Sequence, residues 1–199
     1  MRTGILVCCV VAAAITGCGS DSDQDSATTT SMSVSGPTTS ATAPIDLAHH
    51  NFRVSYTDAL DAARKKFDGT VTKVELEPES VNGREIYVYK VELMSDSQKY
   101  AAQLSADDGG FVTEKTDDLD ADEVGRARTE DAVDLDAAVP LNEAMDTATK
   151  ARPGTVEKWK IEGKNGSAQY EFDLRTPGDA DEDYEVQVDA YSGQLKTAG

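Results

Sequence analysis

The chain has 199 residues, and its 37 aspartates and glutamates against 19 lysines and arginines give a formal net charge of −18 at pH 7. Such an excess of negative charge repels phosphate backbones and anionic lipid headgroups. The composition therefore excludes nucleic-acid binding, and it also excludes membrane binding through a basic patch. The length suits one medium domain or two small ones.

Residues 1–17 have the pattern of a secretory signal peptide. Arg2 supplies the positive charge, and an apolar run follows from Ile5 to Ile15. This run is too short for a membrane-spanning helix, which needs roughly 20 apolar residues. It ends in Ile-Thr-Gly-Cys, which resembles the bacterial lipobox, with Cys18 as the residue that receives the lipid. The alternative is an ordinary cleaved signal followed by a chance cysteine.

The cysteine count supports lipid attachment at Cys18. Cys8 and Cys9 lie within the signal and leave with it, so the mature chain has one cysteine and no intramolecular disulfide. Stable anchoring needs more than one acyl chain, and bacterial lipoproteins typically carry several, such as palmitate. We therefore expect a lipid-anchored protein on the extracytoplasmic face of the cell membrane.

Residues 18–50 are expected to form a disordered tether. The tract is rich in serine, threonine, alanine and aspartate, and it lacks the apolar mass that would repay the entropy of ordering. Its low-complexity part, residues 18–44, would be a flexible spacer of about 27 residues that holds the folded part roughly 25–30 Å from the bilayer. Glycosylation of the threonine cluster at 28–30 is an alternative role for this tract.

The rest of the chain contains an internal repeat, with copies at 54–115 and 139–197. Placing Val54 over Val139 brings similar residues into the same order along both copies. The matched pairs include Ala59 with Ala144, Ala63 with Ala148, Gly69 with Gly154, Lys73 with Lys158, Tyr87 with Tyr170, Tyr100 with Tyr184, Ala106 with Ala190 and Gly109 with Gly193.

Each copy is predicted to contain one helix followed by three strands. Ser55 is the expected N-cap of the first helix and Gly69 its stop, while Pro140 starts the second helix and Gly154 follows its end. Apolar residues then alternate along each strand, which indicates one buried and one solvent-facing side. The expected fold class is α+β, with each helix packed on a three-stranded antiparallel sheet.

Residues 116–138 separate the copies and are predicted to form an acidic linker. They include nine acidic and two basic residues, a composition typical of a solvated connection. A short helix around residues 121–128 is compatible with this segment.

The assembled features resemble the PepSY domain family. The family pattern closes on Val-x-Val-Asp-Ala-x-x-Gly-x-Leu, and the second copy matches it from Val186 to Leu195. The first copy departs from it, because Ser105 replaces the aspartate. The resemblance implies an exported or membrane-anchored bacterial protein. It also implies the family's proposed role, restraint of proteases, and it carries no catalytic residues to transfer.

Catalytic and metal-binding residues are not predicted. His49 and His50 lie in the predicted tether without a third ligand, and the mature chain has no thiol nucleophile apart from Cys18. Two acidic runs have the first three carboxylates of an EF-hand loop, but both lack its sixth-place glycine and twelfth-place glutamate. These runs are Asp118, Asp120 and Asp122, and Asp179, Asp181 and Asp183. A weak cation site in them remains an alternative.

Three functions follow from these features. The first is a non-enzymatic module that binds an envelope protein, such as an extracytoplasmic protease, and needs no cofactor. The second is a lipoprotein that senses calcium, another cation or a small ligand. The third is a structural component of the envelope.

Overall fold

The computed structural model describes residues 45–176 and 183–198. The predicted signal peptide, Cys18 and most of the predicted tether lie outside the described residues. The elements in chain order are α1 (Tyr56–Arg64), β1 (Thr70–Val81), β2 (Arg84–Met94), β3 (Gln98–Ser105), β4 (Phe111–Asp118), α2 (Arg126–Thr129), α3 (Leu141–Ala151), β5 (Thr155–Lys164), β6 (Ser167–Arg175), β7 (Asp183–Asp189) and β8 (Leu195–Ala198). In these ranges every helix falls short of the length and apolarity that a membrane crossing requires.

The strands form one antiparallel sheet in the order β4-β3-β2-β1-β5-β6-β7-β8. The α+β class is confirmed, but the predicted three strands in each copy are corrected to four. Each copy contributes a fourth strand, β4 or β8, and the two half-sheets join edge to edge. The fourth strands form because Gly109 and Gly193 adopt positive φ and turn the chain back along β3 and β7.

The half-sheets join through β1 and β5. Val74 pairs with Ile161 and Leu76 pairs with Trp159, and all four side chains are buried. The alternate positions of these strands carry charged residues, which lie on the opposite side of the sheet because side chains alternate along a strand. The sheet therefore has a helix-covered apolar face and a charged face, which we call the open face.

One helix covers each half of the apolar face. Ser55 is confirmed as the N-cap of α1, where it forms a capping box with Asp58. The helix ends at Arg64, several residues before the expected stop at Gly69. Pro140 is the N-cap residue of α3. The buried positions of the two helices are Ala59, Leu60 and Ala63 in α1, and Ala144, Met145 and Ala148 in α3.

Both copies fix the start of their helix in the same way, and Tyr89, not Tyr87 as the repeat alignment predicts, corresponds to Tyr170. The hydroxyl of Tyr89 donates to the carbonyl oxygen of Val54 at 2.8 Å, and that of Tyr170 donates to the carbonyl oxygen of Val139 at 2.8 Å. Burial raises the pKa of Tyr89 to about 12 and also raises that of Tyr170. Both phenols are therefore neutral donors at physiological pH.

The segment between the copies packs against the sheet over part of its length. β4 continues to Asp118, so the first residues of the predicted linker 116–138 belong to a strand. Further along, buried Val133 donates its N–H to the carbonyl oxygen of Val71 at 2.8 Å. A side chain at Gly163 would overlap the carbonyl of Asp131, so glycine permits this close approach.

Residues 45–50, which the tether prediction included, also pack on the folded part. The N–H of Leu47 donates to the carbonyl oxygen of Val156 at 2.8 Å, and the N–H of Val156 donates to the Asp46 carboxylate at 3.1 Å. The Leu47 side chain is buried in the common core. The described chain thus enters the fold by crossing the start of β5 in the second copy.

Candidate functional site

The open face carries a ladder of ion pairs that crosses the junction of the two copies. Lys158 Nζ lies 2.6 Å from Glu75 and 3.1 Å from Glu77. Burial opposes the charged form of Lys158, but hydrogen bonds to these two carboxylates and their charges outweigh it, so its pKa is raised. Because Glu75 and Glu77 lie on β1 and Lys158 on β5, this cluster ties one copy to the other.

A second cluster of the ladder lies on β1, β2 and β3. Glu92 accepts from Lys73 at 2.6 Å and from Lys99 at 2.9 Å. Burial opposes ionisation of Glu92, but the hydrogen bonds from both lysines outweigh it and hold the pKa of Glu92 below its usual value. The charges of the open face are thus largely neutralised by partners on neighbouring strands.

Three carboxylates come together at the β6–β7 side of the open face. Oxygen atoms of Glu171, Asp173 and Glu185 lie within 4.8 Å of one another, a set that could ligate a hard cation. Burial raises the pKa of Asp173, with the carboxylates of Glu171 and Glu185 adding to the effect and Lys158 opposing it. Lys160 already lies 2.6 Å from Glu171, so a lysine supplies positive charge to this cluster.

The acidic runs singled out in the sequence do not build this cluster. In the first run, Asp118 accepts from the Gln98 amide at 3.0 Å, and the N–H of Asp120 donates to Glu123 at 3.0 Å. In the second run, Asp179 and Asp181 lie outside the described residues. Sequence reasoning missed Glu171, Asp173 and Glu185, although alternate acidic residues on a strand place carboxylates on one face.

A cleft of about 290 Å³ lies between the two helices on the apolar face. Trp159 lines this cleft, is buried, and meets Tyr56 of α1 edge-on, with ring centroids 5.7 Å apart. Leu141 and Met145 of α3 form the other wall, and residues 47–54 cross its end. Both copies thus contribute to the cleft.

The two histidines contact residues of the entering segment itself. His49 Nδ1 lies 2.8 Å from the Asp46 carboxylate, and the His50 ring meets Phe52 edge-on at 4.4 Å. Asp46 in turn accepts from the backbone of Val156. The structure therefore does not bring the two imidazoles together with the carboxylates of the open face.

The outer strands β4 and β8 form the two ends of the described sheet. β4 is eight residues long and β8 is four. Residues 113–118 of β4 are all exposed, while the central strands are mostly buried. These outer strands were missed in the sequence because they have no regular apolar alternation.

The family comparison matches the residues that build both copies. The model of PepSY, described as "Peptidase propeptide and YPEB domain", matches residues 53–113 and 138–195. The chain belongs to the PepSY family. The resemblance predicted from the sequence is therefore confirmed in both copies, and the tandem arrangement with it.

The family motif has a structural role in both PepSY copies. The Asp189 carboxylate accepts from the backbone N–H of Tyr191 at 3.2 Å and of Ser192 at 2.9 Å, which closes the turn into β8. Ser105, which replaces the aspartate in the first PepSY copy, accepts from Asp107 and Asp108 at 3.3 Å each. The serine thus keeps the turn with longer contacts.

A solved structure has the same fold as the tandem PepSY chain. It is described as a "putative lipoprotein" from Clostridium difficile 630, and it shares 24% sequence identity with this chain at a TM-score of 0.67. The similarity covers 77% of this chain and 97% of the other. A comparison with curated proteins finds no match.

Proposed function

We propose that this protein is a lipid-anchored envelope module that binds another extracytoplasmic protein and restrains a protease. The observation that carries the proposal is the tandem PepSY match, because the family description names a peptidase propeptide. A propeptide acts by occupying a surface of its enzyme, and this function requires a rigid binding surface without catalytic residues. The eight-stranded sheet would supply such a surface.

The proposed anchor is a lipid on Cys18. It is supported by the Ile-Thr-Gly-Cys run and by the single cysteine of the predicted mature chain. The structural relative from Clostridium difficile is described as a "putative lipoprotein". The Cys18→Ser variant should remain uncleaved or be released, and detergent phase partitioning of cell fractions measures this. A cleaved variant that still enters the detergent phase would contradict the assignment.

The proposed work of the folded part is protein binding and not turnover. On the open face, lysines pair with Glu92, Glu75 and Glu171, which supports a role of these charges in the binding surface. An acidic protein on a lipid anchor suits a basic or neutral partner, and electrostatic attraction would speed the encounter.

Crosslinking in intact cells tests the proposed function. The full-length lipoprotein is crosslinked and purified, and the captured proteins are identified by mass spectrometry, with Cys18→Ser cells as the control for anchoring. We expect an extracytoplasmic protease among the enriched proteins, and the purified lipoprotein should lower that protease's activity. If no protein is enriched, while calorimetry shows calcium binding that Asp173→Asn removes, cation sensing replaces protein binding as the function.

A further inference from the structure

We propose that the outer edge of β4 is the docking site for an extended, basic segment of a partner protein, which adds to the sheet as a further strand. The inference rests on the proposed function of protein binding, and it specifies the surface and the chemistry of the partner. Addition of a strand to an exposed sheet edge is a general mode of peptide recognition, in which main-chain hydrogen bonds supply much of the affinity.

The ladder between β3 and β4 determines which backbone groups of β4 point outward. Leu119 N–H donates to the carbonyl oxygen of Ser97 at 2.8 Å, so these residues form a hydrogen-bonded pair. In an antiparallel ladder every second pair is of this kind. The register from Gln98–Asp118 to Gln103–Thr113 therefore turns Thr113, Lys115 and Asp117 toward β3. The N–H and C=O groups of Glu114, Thr116 and Asp118 point away from the sheet.

These outward groups form a longer edge than the one at the other end of the sheet. Among the described strands, β4 has a neighbour on one side only. Its residues 113–118 are exposed, and its eight residues compare with four in β8. An incoming strand can therefore pair with the three outward-facing residues Glu114, Thr116 and Asp118 of β4.

The charge of this edge selects the partner. Residues 114–123 contain six acidic residues and one lysine. Lys115 is already 2.8 Å from Asp117, and Glu114 accepts from the Tyr100 hydroxyl at 2.7 Å and lies 3.6 Å from Lys66. The partner of Asp118 is the neutral amide of Gln98. A segment with lysine or arginine at alternate positions would place its cations beside these carboxylates, while an acidic segment would be repelled.

The same charges oppose pairing between two copies of this protein. Two β4 edges brought together would set the acidic stretch 114–123 of one copy beside the same stretch of the other. Like charges directly opposite one another destabilise a strand pair, and charged residues on edge strands are a common protection against self-association. The charge of the β4 edge thus disfavours pairing with a second copy of this protein and favours pairing with a basic strand.

The test uses the intact mature lipoprotein in detergent and a short peptide that alternates lysine and valine. Fluorescence anisotropy of the labelled peptide measures affinity, and hydrogen–deuterium exchange of the protein locates the contact. We expect binding that weakens with salt, and slower exchange in residues 111–118 but not in 195–198. A glutamate–valine peptide should not bind. A lysine peptide with prolines in place of alternate valines should also fail, because proline cannot complete a strand ladder.

Two substitutions at Thr116 separate edge pairing from simple charge attraction. Thr116→Pro removes an outward N–H that the β3 ladder does not use, and proline is tolerated on edge strands. Thr116→Val keeps the N–H and the strand propensity. We expect Thr116→Pro to weaken peptide binding about tenfold, or about 1.4 kcal/mol, and Thr116→Val to leave it unchanged. Urea unfolding of both variants controls for the fold.

Several outcomes would overturn the inference. Equal binding by Thr116→Pro and wild type, equal binding of the proline-containing peptide, or protection that appears outside 111–118 would each exclude the β4 edge. No binding of the lysine–valine peptide would exclude it as well. Should Thr116→Pro fail to fold, the exchange pattern of the wild type still decides. Capture in cells by wild type and Thr116→Pro alike would overturn the edge assignment while leaving the proposed function standing.

Discussion

Lys158→Met is expected to lower the free energy of unfolding by about 2–3 kcal/mol, because it removes a cation that two carboxylates share across the junction of the PepSY copies. Removing one partner of a fully buried ion pair costs about 3–5 kcal/mol. The cost here should be smaller for two reasons. The Lys158 side chain is 29% exposed, and Glu75 keeps a second lysine, Lys73, at 3.6 Å.

The matched control is Lys150→Met on the surface of α3. Lys150 lies 3.9 Å from Asp146, and the two side chains are 79% and 72% exposed. An exposed pair one helical turn apart contributes about 0.3–0.5 kcal/mol, so this variant should be nearly neutral. Both variants are measured by urea unfolding, because guanidinium is a salt and would screen the charges.

A double-mutant cycle with Glu75→Gln isolates the interaction. We expect a coupling energy of about 1–2 kcal/mol between Lys158 and Glu75, since the atoms are 2.6 Å apart and Glu75 is buried. Two results would contradict this prediction: a cost for Lys158→Met no larger than that for Lys150→Met, or additive effects of the two changes in the cycle. Either result would mean that solvent fully replaces the ion pair at the junction.

Three further predictions concern stability. Leu47→Ala should lower the free energy of unfolding by about 2–4 kcal/mol, because Leu47 is a buried core residue; a neutral effect in urea unfolding would show that residues 45–50 do not pack as described. Tyr89→Phe and Tyr170→Phe should each cost about 1 kcal/mol, since each loses one hydrogen bond to a backbone carbonyl, and clearly unequal losses would contradict their equivalence. Asp173→Asn should stabilise the protein at pH 7 and less so near pH 4. Burial raises the pKa of Asp173 in the folded state, so stability falls as pH rises above the unfolded value of 3.8, and an equal gain at both pH values in urea unfolding would contradict this cause.

The sequence predicts the central part of each copy well because packing determines its pattern. Tyr87, Tyr89, Val91 and Leu93 alternate along β2, and all four are buried. The same alternation marks β6. The capping residue Ser55 acts through contacts within a few residues, so it too can be read locally.

The outer strands and the pairing of β1 with β5 could not be predicted from local sequence patterns. β4 is polar from Thr113 to Asp118 because no helix covers its sides, so the apolar alternation that marks a strand is missing. The pairing of β1 with β5 depends on contacts between strands far apart in the sequence, and no local pattern identifies a neighbour. In contrast, Leu47 is an apolar residue at the end of a polar tract, and this could have indicated that it packs in the core.

In the candidate site, too, the residue types could be predicted from the sequence, but their pairing could not. Carboxylates and lysines at alternate positions of β1, β5 and β6 predict a charged face, but which of them pair depends on the strand order. Glu75 meets Lys158 only because β1 and β5 are neighbours. The cleft at Trp159 likewise requires both copies and the entering segment. It could not be predicted by considering each copy separately.

The pairing of β1 with β5 explains why two different copies form a more stable sheet than two identical copies would. The repeat alignment that places Lys73 over Lys158 also places Glu75 over Lys160, and these two residues are paired directly across β1 and β5. Equivalent positions thus face each other at the centre of the sheet. Two identical first copies joined in this way would place Glu75 opposite Glu75, and two identical second copies would place Lys160 opposite Lys160, both of which are unfavourable. The divergence to glutamate in one copy and lysine in the other turns this repulsion into attraction. It thereby favours pairing of the two copies within one chain over pairing of like copies between chains.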